Sequence, residues 1–243
     1  MQKIYGHRGA SGYAPENTLE AFQLAADMGA DGVELDVHIA RDGELVVAHD
    51  ETIDRVSNGT GLICEMTTSE LKKFLFNRTH PEYEKATLPT LREVLELLKP
   101  TGLHINIEMK NSRILYEGLE EKTIRLVDEL GMKDRILYSS FNHHSMMHIK
   151  EIDPSLPCGL LYDCMLLEPW VYAHNAGANA IHPHFSELLI PGEAEKAHAL
   201  GLMVNVWTVN EEKDIRSTLQ AGADIVISNY PDRALKIRDE AKS

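Results

Sequence analysis

Two hydrophobic periods take turns along this chain, one of two residues and one of about 3.6. Short apolar runs near residues 3–6, 32–37, 103–108, 135–139, 157–161, 179–182, 202–207 and 224–228 predict eight strands. Amphipathic stripes near 17–28, 90–99, 115–130, 143–151, 168–175, 187–199, 211–220 and 231–240 predict the helices between them. One joint recurs. A helical stripe stops on glycine and an apolar run follows, at Gly29-Ala30-Asp31, Gly177-Ala178-Asn179 and Gly222-Ala223-Asp224, with variants at Gly131-Met132 and Gly201-Leu202. Glycine closes helices because it enters the left-handed conformation without strain. Strict alternation of strand and helix implies parallel strands. Eight units in 243 residues predict a (β/α)8 barrel. A doubly wound open sheet is the competitor. The barrel is preferred because polar residues gather at the carboxyl end of nearly every strand, the face on which barrel sites are built.

The rhythm breaks once. Asp42-Gly43 marks a turn, Leu45 to Ala48 is a further short apolar run, and residues 51–89 hold turn residues (Asn58-Gly59-Thr60-Gly61), a brief helical pattern and a polar stretch. This segment reads as an insertion in the second strand-to-helix connection, lying over the active face of one domain spanning 1–243. Long loops in that position usually serve function.

Composition narrows the function. The formal net charge of −14 disfavours nucleic acid and anionic membrane surfaces, which select for clustered lysine and arginine. No apolar run approaches the ~18 residues of a membrane span, so stable membrane insertion is not expected. Three cysteines without zinc-like spacing, and no signal-peptide pattern after Met1, point to a cytoplasmic protein.

The candidate chemistry sits at strand ends. Residues two apart on a strand share a face. Glu34 and Asp36 therefore project together, followed by His38, while Val33, Leu35 and Val37 point the other way. By the same parity His104, Asn106, Glu108 and Lys110 share one side of the third strand. His7 and Arg8 follow the first strand, and His49 follows the run at 45–48. Unpaired buried charge is costly, and three carboxylates without a thiolate form a hard oxygen site for Mg²⁺ or Ca²⁺. Zinc is disfavoured, although His7 and His49 keep it open. Arg8 suits bidentate phosphate binding and Lys110 a point contact. Two histidines, a divalent cation and two phosphate-binding cations are the equipment for cleaving a phosphate ester. Phe141 and Trp207 are candidates to line the pocket, and His182 is a weaker one at the end of the sixth strand. A Schiff base on Lys110 is the rival chemistry, disfavoured by the adjacent carboxylates, which would keep the amine protonated. A non-catalytic phosphodiester-binding barrel is a second rival, disfavoured by the histidine pair.

The motifs His7-Arg8-Gly9-Ala10, Pro15-Glu16-Asn17-Thr18, Glu34-Leu35-Asp36-Val37, His49-Asp50, Glu108-Met109-Lys110, Trp207-Thr208-Val209-Asn210 and Ser228-Asn229-Tyr230-Pro231-Asp232 together resemble the glycerophosphodiester phosphodiesterases. The resemblance covers essentially the whole chain. It implies a (β/α)8 barrel with an insertion after the second strand. It also implies a small-molecule glycerophosphodiester substrate, His7 and His49 as the acid–base pair, Glu34, Asp36 and Glu108 as metal ligands, and Arg8 and Lys110 as phosphate contacts. Inositol or lysolipid phosphodiesters are the alternative substrates within the same chemistry.

Overall fold

Parallel strands cannot be joined by tight turns, so each strand must hand over to a helix that returns the chain to the starting edge. The structure, a computed structural model, describes residues 2–241; Met1 and residues 242–243 of the expected 1–243 span lie outside them. The strands are β1 (Lys3–His7), β2 (Gly32–Ile39), β3 (Leu45–Val47), β4 (His104–Met109), β5 (Ile136–Ser140), β6 (Cys158–Tyr162), β7 (Ala180–Pro183), β8 (Met203–Val206) and β9 (Ile225–Ser228). The helices are α1 (Leu19–Asp27), α2 (Thr68–Leu71), α3 (Leu91–Leu98), α4 (Leu119–Glu129), α5 (His143–Ile152), α6 (Pro169–Asn175), α7 (Glu193–Ala199), α8 (Glu212–Gln220) and α9 (Pro231–Glu240).

Eight parallel strands close into a barrel, because β1 pairs with β2 on one side and with β9 on the other. The exception is β3. It folds back antiparallel on the last residues of β2, with Val37, His38 and Ile39 opposite Val47, Val46 and Leu45. The turn between them uses Gly43 at a φ of 82°, which suits glycine. The run at 45–48, left out of the predicted strand count, is thus a ninth strand that extends β2 beyond the barrel rim. Two helices start later than their patterns predict. A turn of 3₁₀ helix at Phe185–Leu189 and the break at Pro191-Gly192 precede α7, and α4 waits for Gly118.

Parity decides what each strand buries. Val33, Leu35 and Val37 of β2 and Ile105, Ile107 and Met109 of β4 join the shell between barrel and helices, with Phe22, Leu91 and Leu95. Their alternates face the barrel axis. Tyr5, Ile225 and Ile227 form an apolar cluster on that inner side. Nearer the carboxyl ends the inner side turns polar, with Glu34, Asp36, Asn106, Glu108, Ser139, His182 and Asn205 all buried.

The chain after β3 builds a core of its own. Ile53, Val56, Ile63, Leu71, Phe76 and Leu88 pack with Ala40, Val46 and Ala48. Thr67 and Glu70 form a reciprocal cap on α2, which compensates for a helix too short to be stable alone. Truncating Phe76 to alanine should therefore cost about 3–5 kcal/mol by opening a cavity in this small core, read as a lower denaturation midpoint. Shortening the exposed stretch at 81–85 should leave the midpoint nearly unchanged. Equal loss from both would show that the segment does not fold around Phe76.

Candidate active site

The carboxyl end of β1 begins the site. His7 closes the strand, and Arg8 follows in the left-handed region at a φ of 54°. That conformation costs a non-glycine residue about 1–2 kcal/mol. It lets the Arg8 backbone N–H donate to Glu34 Oε2 at 3.0 Å. Gly9 comes next at a φ of 83°, and a Cβ there would lie 2.5 Å from the backbone carbon of Ala21 on α1. Asn17 is also left-handed at 57°, a conformation asparagine tolerates. Its side-chain amide donates to Asp36 Oδ2 at 2.8 Å, and its backbone N–H donates to the Arg8 carbonyl at 3.0 Å. One tight loop thus aims hydrogen-bond donors at both carboxylates of β2.

Pairing of β2 with β4 sets Asp36 beside Glu108 and Glu34 beside Asn106. Glu34, Asp36 and Glu108 each offer a carboxylate oxygen, and these oxygens lie within 4.8 Å of one another. Burial, then repulsion from Asp36 and Glu108, holds the Glu34 carboxyl well above its ordinary range. Burial also raises Glu108, although Lys110 opposes the shift. Asp36 goes the other way. Burial would raise it, but Lys110, His49, Arg8 and the Asn17 amide overcome that and keep it ionised. Lys110 Nζ lies 2.9 Å from Glu108 Oε1 and 3.6 Å from Asp36 Oδ1, and Arg8 Nε lies 3.4 Å from Asp36 Oδ2. Arg8 also pairs with Glu16, and Arg55 bridges Glu16 to Asp50. With Glu34 and Glu108 ionised as well, five carboxylates of this connected group stand against three cations, which leaves two negative charges. Asp36 Oδ1 is buried without a hydrogen-bond partner. A surplus of two charges on ionisation and a buried carboxylate oxygen without a hydrogen bond among hard donors fit one divalent cation.

Two histidines flank the carboxylates. His7 Nδ1 lies 2.7 Å from Asn229 Oδ1, which makes Nδ1 the protonated nitrogen and leaves Nε2 with its lone pair. That Nε2 is 3.9 Å from Glu34 Oε2 and 3.4 Å from Thr208 Oγ1. Burial, aided by Arg8, pushes the His7 imidazole down to about 3. His49 leaves β3 with its Nδ1 at 2.6 Å from Asp50 Oδ1. Burial would raise the Asp50 carboxyl, yet hydrogen bonds from Arg55 and His49 bring it down to about 2, so His49 faces a carboxylate. Underneath, the buried ring of His38 contacts the His49 carbonyl at 3.2 Å and the Tyr116 hydroxyl at 3.1 Å. His38 therefore supports the backbone that carries His49.

A cavity of about 760 Å³ opens beside this group, lined by residues that include His49, Lys110, Phe141, Asp163 and Trp207. Phe141 and Trp207 meet edge to face with centroids 5.5 Å apart, and Trp207 Nε1 donates to the His182 carbonyl at 2.9 Å. His182 itself is not on the rim. Its ring is fully buried, lies over Gly159 of the neighbouring strand and meets the Asn205 amide at 2.8 Å. Burial lowers it to about 3, which makes it a neutral member of the barrel interior. His143 and His148 are half-buried: His143 contacts the Leu161 carbonyl and the Tyr172 hydroxyl, and His148 pairs with Glu121.

This arrangement of strand-end carboxylates and histidines has known counterparts. The profile of the glycerophosphoryl diester phosphodiesterase family matches residues 7–233. The chain belongs to that family. It is 40% identical to the glycerophosphodiester phosphodiesterase of Caldanaerobacter subterraneus over 96% of both chains, and 39% identical to that of Bacillus altitudinis over 100% of both. Among solved structures, an Oleispira antarctica phosphodiesterase in complex with the product sn-glycerol-3-phosphate superposes with a TM-score of 0.86, at 31% identity over 98% of this chain and 97% of that one. A glycerophosphodiester phosphodiesterase from Agrobacterium tumefaciens gives 0.85 at 30% identity, over 97% and 100%.

His38, which parity sets on the side of Glu34 and Asp36, supports the His49 backbone, while Asn17, Asn229, Glu16, Asp50 and Arg55 complete the site in ways that strand parity could not disclose. All of these five lie in stretches that follow the family pattern, Arg55 in the run from Asp50 to Gly61. The loop geometry gives a direct test. Gly9→Ala places a methyl against the Ala21 backbone, so the Arg8 loop must shift. The expected result is a loss of about 1–3 kcal/mol in stability together with a raised KM. Unchanged melting and KM would show that this close approach does not position Arg8.

Proposed function

We propose that this chain hydrolyses glycerophosphodiesters to glycerol 3-phosphate and an alcohol, with His7 and His49 moving the protons and one divalent cation, Mg²⁺ or Ca²⁺, held by Glu34, Asp36 and Glu108. The observation that carries this reading is the gathering of three carboxylate oxygens within 4.8 Å beside two histidines with opposite kinds of partner. The product bound to the Oleispira structure supports the substrate class. Three free thiols, Cys64, Cys158 and Cys164, support a cytoplasmic setting.

The chemistry that a divalent cation supplies at these carboxylates is charge neutralisation at the phosphate oxygens. Everything else falls to the chain. Arg8 and Lys110, which now pair with the carboxylates, take up the phosphate. His7 is the base. Its Nδ1–H is spent on the neutral Asn229 amide, so Nε2 is free to accept a proton from water or from the substrate's glycerol hydroxyl. His49 is the acid. Its Nδ1–H faces an ionised carboxylate, which balances the charge of an imidazolium as an amide carbonyl cannot. His49 also lines the cavity through which the alcohol leaves. Phe141 and Trp207 give that alcohol an apolar wall. A Schiff base on Lys110 is disfavoured. Burial would lower its ammonium, but Glu108 and Asp36 raise it further, so the amine stays protonated.

The two roles separate by leaving group. An alkoxide needs a proton as it departs, and a nitrophenolate does not. His7→Ala and His49→Ala should each cost roughly 10²–10⁴-fold on an alkyl glycerophosphodiester. On a nitrophenyl glycerophosphodiester only His49→Ala should recover. Recovery of His7→Ala alone would reverse the roles. Recovery of neither, or of both, would remove the pair from proton transfer. Exhaustive chelation should abolish turnover, and activity that survives it would refute the cation.

A further inference from the structure

A row of alternating charges runs from one side of the site to the other through a residue that neither proton transfer nor phosphate binding has claimed. His49 Nδ1 contacts Asp50 Oδ1 at 2.6 Å. Asp50 accepts from Arg55 Nε at 2.7 Å and from Nη2 at 3.3 Å. The other edge of the same guanidinium takes Glu16 in a fork, Nη1 to Oε2 and Nη2 to Oε1, both at 2.7 Å. Glu16 Oε1 then accepts from Arg8 Nη1 at 2.8 Å. Arg55 comes from the segment after β3, Glu16 from the loop between β1 and α1, and Asp50 from the exit of β3. One planar group thus joins the loop that carries Arg8 to the loop that carries His49.

Stability alone does not account for this arrangement. The Arg55 side chain is 44% exposed, and ion pairs at that exposure contribute only about 0–1 kcal/mol. What the guanidinium does supply is geometry. Two edges at a fixed angle set two carboxylates in one plane. Without that shared cation Asp50 and Glu16 would be left as like charges on neighbouring loops, free to swing apart. The burial of Glu16 would raise its carboxyl, yet Arg55 and Arg8 together hold it low, so it stays ionised as the middle of the chain.

We propose that Arg55 is a positioning residue for both ends of the reaction, setting the imidazole of His49 through Asp50 and the guanidinium of Arg8 through Glu16. The inference rests on the assignment of His49 as acid and Arg8 as phosphate ligand. Arg55 also borders the cavity, so a direct contact with substrate is the competing role. Its Nε, Nη1 and Nη2 all already donate to carboxylates, which argues for positioning.

The test uses the metal-supplemented full chain with alkyl and nitrophenyl glycerophosphodiesters, and the variants Asp50→Asn, Glu16→Gln, Arg55→Lys and Arg55→Ala beside His49→Ala. Partners one step removed from the reacting groups typically cost about 10–100-fold. Asp50→Asn should lose that much in kcat on the alkyl substrate, little on the nitrophenyl one, and keep its KM. Glu16→Gln should raise KM on both substrates alike. Arg55→Lys, which keeps the charge and loses the fork, should show both signatures at once, and adding Asp50→Asn to it should lower kcat no further. Should either Arg55 variant fail to fold, the two single-arm variants still decide, because each leaves Arg55 paired on its other edge. Wild-type kinetics for Arg55→Lys, or for both single-arm variants, would overturn the proposal. A raised KM in Arg55→Lys with silent Asp50→Asn and Glu16→Gln would overturn it in favour of direct contact. If His49→Ala itself fails to recover on the nitrophenyl substrate, the acid assignment falls, and the His49 arm of the coupling falls with it.

Discussion

Mutual repulsion among Glu34, Asp36 and Glu108 is the constraint on which the rest of the site depends. Adjacent parallel strands in fixed register hold these groups together, so none can turn away without moving β2 or β4. Neighbours answer the repulsion. Arg8 and Lys110 stand against Asp36, the Arg8 backbone N–H is turned onto Glu34, and Asn17 gives Asp36 its amide. The left-handed turn at Arg8 and the bare Gly9 behind it are the backbone cost of bringing those donors in. Even so, full ionisation of the three would leave two negative charges, which one divalent cation would balance.

The scaffold makes this tolerable because its two faces are chemically separate. Outer-facing residues of β2 and β4 belong to the apolar shell under the helices, so polar groups can fill the inner face without breaking that shell. Charge is then stacked where the barrel opens. The histidines divide by partner. His7 is fixed by an amide across the β1–β9 seam, and His49 by a carboxylate that is itself tied into the Arg55 chain. A shared set of carboxylates flanked by two differently supported imidazoles is suited to a reaction that takes a proton on one side of phosphorus and gives one on the other.

Much of this was legible in the chain itself. Glycine joints marked the helix ends, and the parity of Glu34-Leu35-Asp36 and of Asn106-Ile107-Glu108 placed the carboxylates on one face. Other parts could not be read that way. Three residues of β3 are too few to show a period, and they form a strand only because β2 runs past the barrel. His182 looked like a strand-end polar group. Its burial depends on the missing side chain of Gly159 one strand away, a fact about registry. Asn229 meets His7 across 222 residues of sequence, and only barrel closure brings them together. Glu16, Asp50 and Arg55 fall in stretches that carry the family resemblance, but nothing along the chain says that they pair with one another. Their chain of pairs exists only once two loops are set side by side.

Direct calorimetric titration of the metal-free chain tests most directly whether the three carboxylates and their neighbours take one divalent cation. One ion should bind per chain. Its affinity should rise with pH, because raised carboxyls at Glu34 and Glu108 hold protons that the ion must displace. Asp36→Asn, which removes one of the two surplus charges, should weaken binding sharply. Absence of a bound ion, or binding that neither pH nor Asp36→Asn alters, would contradict that assignment.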